Sequence, residues 1–253
     1  MREEPAAREE FVFGTRSVIE AIRAGKSIDK ILIKNGLNNE LFGELYQMIK
    51  EYEIPFQYVP LEKINRVTRK NHQGVLALIS SVDFFRIEDV LPSVYEKGED
   101  PLLLIIDQVT DVRNFGAIVR SAECAGVHAV IIPEKGAARI GADAVKTSAG
   151  ALNIMPVCRS GNMTSTVEFL KNSGIKIIAA TEKAAFNYTD SEMNGPLAII
   201  MGAEDTGISP ALLRISDQLA KIPILGKIQS LNVSVAASLM VYEAVRQRSQ
   251  NQG

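Results

Sequence analysis

The rhythm of hydrophobic and polar positions changes near residue 100. Before that point the pattern is mixed. A helical pattern runs from Ser17 to Ala24 behind Gly14-Thr15, and KILIK (30–34) reads as a short strand. Residues 38–52 place Leu41, Leu45, Met48 and Ile49 on one face of an amphipathic helix. Residues 56–59 and 74–80 read as further strands, so 11–80 is expected to form a small α/β domain. Residues 1–10 read as a flexible, tag-like tail. Residues 81–100 mix charge, Pro and Gly with little periodicity and read as a linker with at most one helical turn.

From Pro101 the strands become continuous apolar runs: LLLII (102–106), AVIIP (129–133), IKIIAA (175–180) and LAIIM (197–201). Helical patterns at 114–125, 164–173 and 209–216 separate or follow them, and a longer apolar helix starts at Asn232. Strands that are apolar on both faces and alternate with helices predict a parallel sheet covered on both sides. Residues 101–253 are therefore expected to be a second, α/β domain.

Composition adds mainly exclusions. The chain has 253 residues, 46% apolar and 23% charged, ordinary proportions for a folded protein with a sizeable core. Its apolar runs are far shorter than a membrane span. MREEPAAREE carries no apolar segment of the kind a secretory signal needs. Cys124 and Cys158 are the only cysteines, which points to a reducing cytoplasm. With His72 and His128 the only histidines, no Cys/His zinc spacing exists, and no metal site is expected. A net charge of −2 argues against nucleic-acid binding through a global positive field, while leaving room for a local basic patch.

The common nucleotide signatures are missing. No two glycines are separated by a single residue, so GxGxxG cannot occur. Gly25-Lys26-Ser27 resembles the end of a P-loop, but the position that needs the first glycine is Glu20. No GxSxG elbow is present. Three segments at strand ends remain. In DQVTDVRNFGAIVR (107–120), Asn114 is expected to cap a helix that carries Arg120. Taken by itself, Arg120 is either an exposed helix arginine or a bidentate phosphate clamp. In MGAEDTGIS (201–209), Glu204 lies in a turn between Gly202 and Gly207, ahead of a helix capped by Ser209 with Pro210 in its first position. In the third, Ile222-Pro223-Ile224 is expected to end a strand, Leu225-Gly226-Lys227 turns, and Ser230-Leu231-Asn232 opens the last helix. Its free N–H groups either bind a polar ligand or are satisfied by a simple Asn cap.

Together NFGAIVRSA (114–122), IIMGAEDTGIS (199–209) and IPILGKIQSLNVSVAASLMVYEA (222–244) resemble the three signature motifs of the SpoU, or TrmH-like, RNA ribose 2′-O-methyltransferases of the SPOUT superfamily. FGTRSVIEAI (13–22) and RKNHQGVLALIS (69–80) resemble the ends of that family's substrate-binding domain. The resemblance implies a trefoil-knotted parallel sheet, preceded by a small α/β RNA-binding domain. It also implies a homodimer and S-adenosylmethionine as cofactor. By the same carry-over Asn114, Arg120, Glu204, Ser230 and Asn232 fall on catalytic or pocket positions, and Thr181, Gly202, Ile222, Leu225 and Leu231 on cofactor contacts. Arg66, Arg69, Lys70, His72 and Gln73 form a basic loop suited to RNA phosphate. KTSAG (146–150) matches a loop near the substrate. One departure is Asp205, where relatives often carry a small residue.

The implied reaction is in-line attack of a ribose 2′-hydroxyl on a sulfonium methyl, without metal or covalent enzyme intermediate. The two-domain form with His72-Gln73-Gly74 resembles the enzymes that modify a guanosine of 23S ribosomal RNA. Alternatives are a transfer RNA ribose methylase, a catalytically silent RNA-binding assembly factor, and a small-molecule methyltransferase. The short, acidic-leaning N-terminus disfavours the first, and intact Arg120, Glu204 and Asn232 disfavour the second. The N-terminal domain disfavours the third.

Overall fold

The computed structural model describes residues 11–250 apart from 139 and 229. The tail expected at 1–10 lies outside the described residues. The chain divides into two compact units: one runs to Asp83 and also takes Ile140–Ala142, and the other holds the remainder.

The first unit runs β1 (Phe11–Phe13), α1 (Thr15–Arg23), β2 (Ile28–Lys34), α2 (Glu40–Glu51), β3 (Phe56–Val59), α3 (Leu61–Val67) and β4 (Val75–Ile79). Its four strands lie in the order β1-β4-β2-β3. Strand β4 is antiparallel to both β1 and β2, and β3 is parallel to β2. Val18, Ile19 and Ile22 of α1 and Phe42, Leu45 and Ile49 of α2 pack on one side of this sheet. Ile64 of α3 joins Leu32, Val59 and Leu76 in a second cluster. Asn39 caps α2 by accepting from the Phe42 N–H at 2.8 Å.

The second unit holds β5 (Phe84–Phe85), α4 (Ile87–Glu96), β6 (Leu102–Ile106), α5 (Val112–Cys124), β7 (Ala129–Pro133), α6 (Ala142–Thr147, all but its first residue), β8 (Val157–Ser160) and α7 (Met163–Asn172). It continues with β9 (Lys176–Ala180), β10 (Phe186–Asn187), β11 (Leu197–Met201), α8 (Pro210–Ile215), β12 (Gln218–Lys221) and α9 (Val233–Gln250). Eight strands, every pairing parallel, lie in the order β10-β12-β9-β11-β6-β7-β8-β5. The central strands β6, β7 and β11 are buried along their whole length, as their unbroken apolar runs predict.

Three expectations need correction. Residues 81–100 are no linker within the sheet domain: they contain β5 and α4, which brings Ile87 and Leu91 into the main core. The spacing of Ile87, Leu91 and Val94 is helical, but Pro92 inside the helix and the surrounding charges mask it. The strand expected to end at 222–224 is instead β12, which ends at Lys221. Its sequence QLAK has too few apolar positions to announce a strand and is fixed by pairing with β9 and β10. Finally, Asn114 is not the cap of α5: Asp111 is, accepting from the Asn114 N–H at 2.8 Å.

Gly116 of α5 permits a close helix approach. A Cβ there would lie 2.7 Å from Thr147 Cβ and 3.0 Å from the Ala144 carbonyl. The last helix, α9, is seated by Val233, Ala237, Met240, Val241 and Ala244. At its far end buried Glu243 accepts from Arg246 Nε at 2.8 Å and from Gln247 Nε2 at 2.7 Å. Gln247 in turn accepts from the Met193 N–H at 2.9 Å and donates to the Ser191 carbonyl at 2.9 Å.

The Arg246 hydrogen bond, helped by Gln247 and the guanidinium charge, outweighs burial and holds the Glu243 carboxyl below its ordinary value of 4.5. A depressed carboxyl stabilises the fold above its unfolded pKa, and that contribution is lost as pH falls through the folded value. Glu243→Gln is therefore predicted to lower the melting temperature at pH 7, and the gap from wild type should narrow at about pH 3. Thermal melts at the two pH values check this, and a gap independent of pH would contradict it.

Candidate active site at the carboxyl edge of the parallel sheet

The parallel register sets the carboxyl ends of β9, β11, β12 and β6 along one edge, with Met201 opposite Ile106 and Ala220 opposite Ala180. Loops leaving that edge are where parallel α/β sheets hold ligands. Here they enclose a cavity of about 400 Å³. Thr181 after β9, Gly202 and Glu204 after β11, and Ile222 after β12 line it, together with Ser230 and Leu231 before α9. Six of the residues expected at the site therefore share one cavity wall.

Glu204 is the centre of the arrangement. Its Oε1 accepts from Asn232 Nδ2 at 2.7 Å and from the Val233 N–H at 3.1 Å. The same Asn232 Nδ2 donates to Asn114 Oδ1 at 3.0 Å. Asn232 Oδ1 accepts from the Ser234 N–H at 3.0 Å, so Asn232 also caps α9. Three segments far apart in sequence thus meet in one polar node at the amino end of an eighteen-residue helix. A carboxylate is favoured there, because it meets free N–H donors and the positive end of the helix dipole.

Close backbone packing shapes the turn that presents Glu204. The Ala203 N–H donates to the Gly207 carbonyl at 3.2 Å, and the Gly207 N–H to the Ala203 carbonyl at 2.9 Å. A Cβ on Gly202 would lie 2.2 Å from the Gly207 carbonyl carbon, and Gly207 has φ +68°. Both glycines are structural requirements of the turn.

Other expected residues stand elsewhere. Arg120 is exposed on α5, off the cavity wall, with no hydrogen bond or ion pair among the described residues. Leu225 is 99% exposed and also off the wall. In the first unit Arg66, Arg69, Lys70 and Gln73 are exposed, but His72 is buried. Its Nδ1 accepts from the Gly74 N–H at 3.0 Å, which leaves Nε2 to donate to Asn65 Oδ1 at 2.9 Å. His72 therefore organises the turn in which Gln73 (φ 53°) and Gly74 (φ 82°) are left-handed. In 146–150, buried Ser148 donates to the Val145 carbonyl at 2.8 Å, while Ala149 and Gly150 both have positive φ. Sequence reasoning missed Asp111, whose capping signal was shared with Asn114 three residues on. Both cysteines are unpaired, and burial pushes the Cys158 thiol up to about 12. Among the described residues no group of His, Cys, Asp or Glu is arranged to hold a metal, and no helix is long and apolar enough to cross a membrane.

A glycine-supported acidic turn faces the N-terminus of a final helix at the carboxyl edge of a parallel sheet, where α/β folds hold ligands. Residues 101–242 match the SpoU rRNA Methylase family, and residues 11–85 match the RNA 2'-O ribose methyltransferase substrate binding family. The chain belongs to the SpoU family and is an RNA methyltransferase. It is 32% identical over 240 residues to YacO of Bacillus subtilis strain 168, whose name assigns it to the TrmH family of tRNA/rRNA methyltransferases. That match spans 95% of this chain and 96% of YacO. Among solved structures it resembles the SpoU methyltransferase AviRb from Streptomyces viridochromogenes in complex with AdoMet, with 25% identity and a TM-score of 0.60 over 95% of this chain and 91% of that one. It also resembles the A. aeolicus TrmH/SpoU tRNA modifying enzyme, with 29% identity and a TM-score of 0.55, over 66% of this chain and 86% of that one.

Gly202→Ala is predicted to destabilise the protein by about 1–3 kcal/mol, because the added methyl meets backbone that cannot move aside. Thermal denaturation measures this, and an unchanged melting temperature would show that the turn has room to shift.

Proposed function

We propose that the protein transfers a methyl group from S-adenosylmethionine to a ribose 2′-hydroxyl, and that its target is a guanosine of 23S ribosomal RNA. The observation that carries this reading is the junction of Asn114, Glu204 and Asn232 beside a cavity walled by strand ends. The cavity suits the cofactor. About 400 Å³ matches a nucleoside joined to an amino acid. Ile222, Ile224 and Leu231 offer apolar faces to a purine, and Glu182, Glu204 and Asp205 offer negative charge to a sulfonium and an ammonium. In this reading Thr181, Gly202, Ile222, Leu225 and Leu231 bind the cofactor, Leu225 through its main chain.

The bound cofactor supplies an activated methyl on a positively charged sulfur, so the protein contributes chiefly orientation. Arg120 clamps the phosphate next to the target ribose through its planar fork and steadies the 2′-oxygen as its proton leaves. A guanidinium, with a pKa above ~12, does not take that proton itself. Phosphate, water or the second oxygen of Glu204 receives it. Glu204 Oε1 already serves two donors, one of them Asn232, and holds the start of α9, with Ser230 on the adjoining cavity wall.

RNA reaches the site with help from the first unit, through Arg66, Arg69, Lys70 and Gln73, while His72 keeps their turn in shape. A homodimer belongs to the same reading. Helix α9 exposes Val235, Leu239 and Tyr242 although its other face is already buried, and the preceding loop exposes Leu225 and Ile228. So does a trefoil knot, supported by the crossed strand order β12-β9-β11-β6. We place the reaction in the cytoplasm, where two unpaired cysteines stay reduced. Ribosomal RNA is favoured because the tRNA-modifying neighbour matches only 66% of the chain. Transfer RNA is the second reading, because the relatives' names carry both substrates.

Mapping 2′-O-methyls in ribosomal and transfer RNA from a deletion strain tests the target. Loss of one ribosomal guanosine methyl is expected, and loss confined to transfer RNA would overturn the ribosomal assignment. For the clamp, Arg120→Ala is predicted to lower methyl transfer by about a hundredfold or more while S-adenosylmethionine binding stays near wild type. Arg120→Lys should recover little of it, and near-native turnover by the lysine variant would rule out bidentate contact.

A further inference from the structure

The acidic turn is pinned at both ends by one residue that lies outside the cavity wall. The backbone N–H of Asp107 donates to the Met201 carbonyl at 2.8 Å. Its side-chain Oδ2 accepts from the Ser209 N–H at 2.7 Å. These two partners flank 202–208, the segment that carries Glu204. The Ala203–Gly207 bridge ties the turn across its middle, and among the described residues Asp107 alone hydrogen-bonds to both of its ends from the sheet edge after β6.

We propose that Asp107 is a positioning residue for S-adenosylmethionine binding, acting through the Ser209 backbone to hold Glu204 in place. The proposal rests on the cofactor reading above. Asp107 is 3% exposed, and among the described residues its side chain has one hydrogen-bond partner, the Ser209 N–H. Burying a carboxylate for a single neutral donor contributes little to stability, because desolvation offsets the bond. A residue of similar size without charge would pack there at lower cost. What the carboxylate does provide is location. Ser209 is the residue before Pro210 and the N-cap of α8, so its N–H lies outside the helix ladder, and its own side chain makes no capping bond. Asp107 gives that N–H a fixed, water-shielded acceptor and so sets the distance between the exit of the turn and β6. Glu204 must bring one oxygen to both Asn232 Nδ2 and the Val233 N–H, at 2.7 and 3.1 Å, and a displacement of about 1 Å at the turn would lose that geometry.

Calorimetry with S-adenosylmethionine on the full-length protein, combined with hydrogen exchange over 202–208, tests this. Asp107→Ala is expected to weaken binding about tenfold or more, and to raise KM for the cofactor more than it lowers kcat at saturation. Asp107→Asn keeps an acceptor for the Ser209 N–H and should return to within about threefold of wild type. Ser209→Pro deletes the N–H and puts the ring Cδ where its hydrogen pointed, which displaces the carboxylate and breaks the same contact from the Ser209 side; Ser209 has φ −57°, which proline adopts. Its loss should match that of Asp107→Ala, and it decides the matter if the alanine variant fails to fold. Wild-type affinity in either Asp107→Ala or Ser209→Pro, or an asparagine variant as weak as alanine, overturns the proposal. Exchange over 202–208 needs no ligand. Faster exchange in Asp107→Ala supports the pinning and unchanged exchange refutes it, whereas failure of the wild type to bind S-adenosylmethionine refutes the cofactor reading instead.

Discussion

The second unit depends on one carboxylate set against one helix end. Glu204 reaches the Val233 N–H and the Asn232 amide, and through Asn232 it is joined to Asn114. That contact links the end of β11, the start of α9 and the first turn of α5. It also satisfies donors that the first turn of α9 would otherwise leave open to the cavity. A charge-assisted bond at a helix N-terminus is among the stronger polar contacts a protein makes, and the helix behind it spans eighteen residues. The glycines serve the same end. Gly202 and Gly207 let the turn close tightly enough to aim Glu204 across the gap.

The node also separates polar residues that satisfy one another from residues left exposed. Asn114, Glu204 and Asn232 satisfy one another. Arg120 and Leu225 are exposed instead, and Arg120 has no polar partner among the described residues. An arginine without a partner in a protein whose net charge is −2 is free to meet a phosphate. The first unit shows the same division, with His72 spent inside its turn and Arg66, Arg69 and Lys70 outside it.

How much of this was legible in the sequence follows from which signals were local. The strands LLLII, AVIIP and LAIIM announce themselves because burial on both faces demands unbroken apolar residues. Strand β12, QLAK, does not, because the pairing partners β9 and β10 decide its conformation. Helix α4 was obscured by Pro92. Six residues expected from the family resemblance line one cavity, but which atoms meet could not be read from the sequence. Asn114 was expected to cap its own helix. The structure gives that task to Asp111 and leaves the Asn114 side chain for Asn232, a partner more than a hundred positions away. Likewise nothing local marks His72 as buried, since its neighbours Arg69, Lys70 and Gln73 are all exposed.

The central claim is that Glu204 and Asn232 work as one unit in forming the cofactor site. A double-mutant cycle on S-adenosylmethionine affinity, with Glu204→Ala, Asn232→Ala and the pair, tests it most directly. Each single variant should lose most of what the double variant loses, with a coupling of about 1 kcal/mol or more. Losses that simply add would mean that the two side chains act independently and that the node does not organise the site.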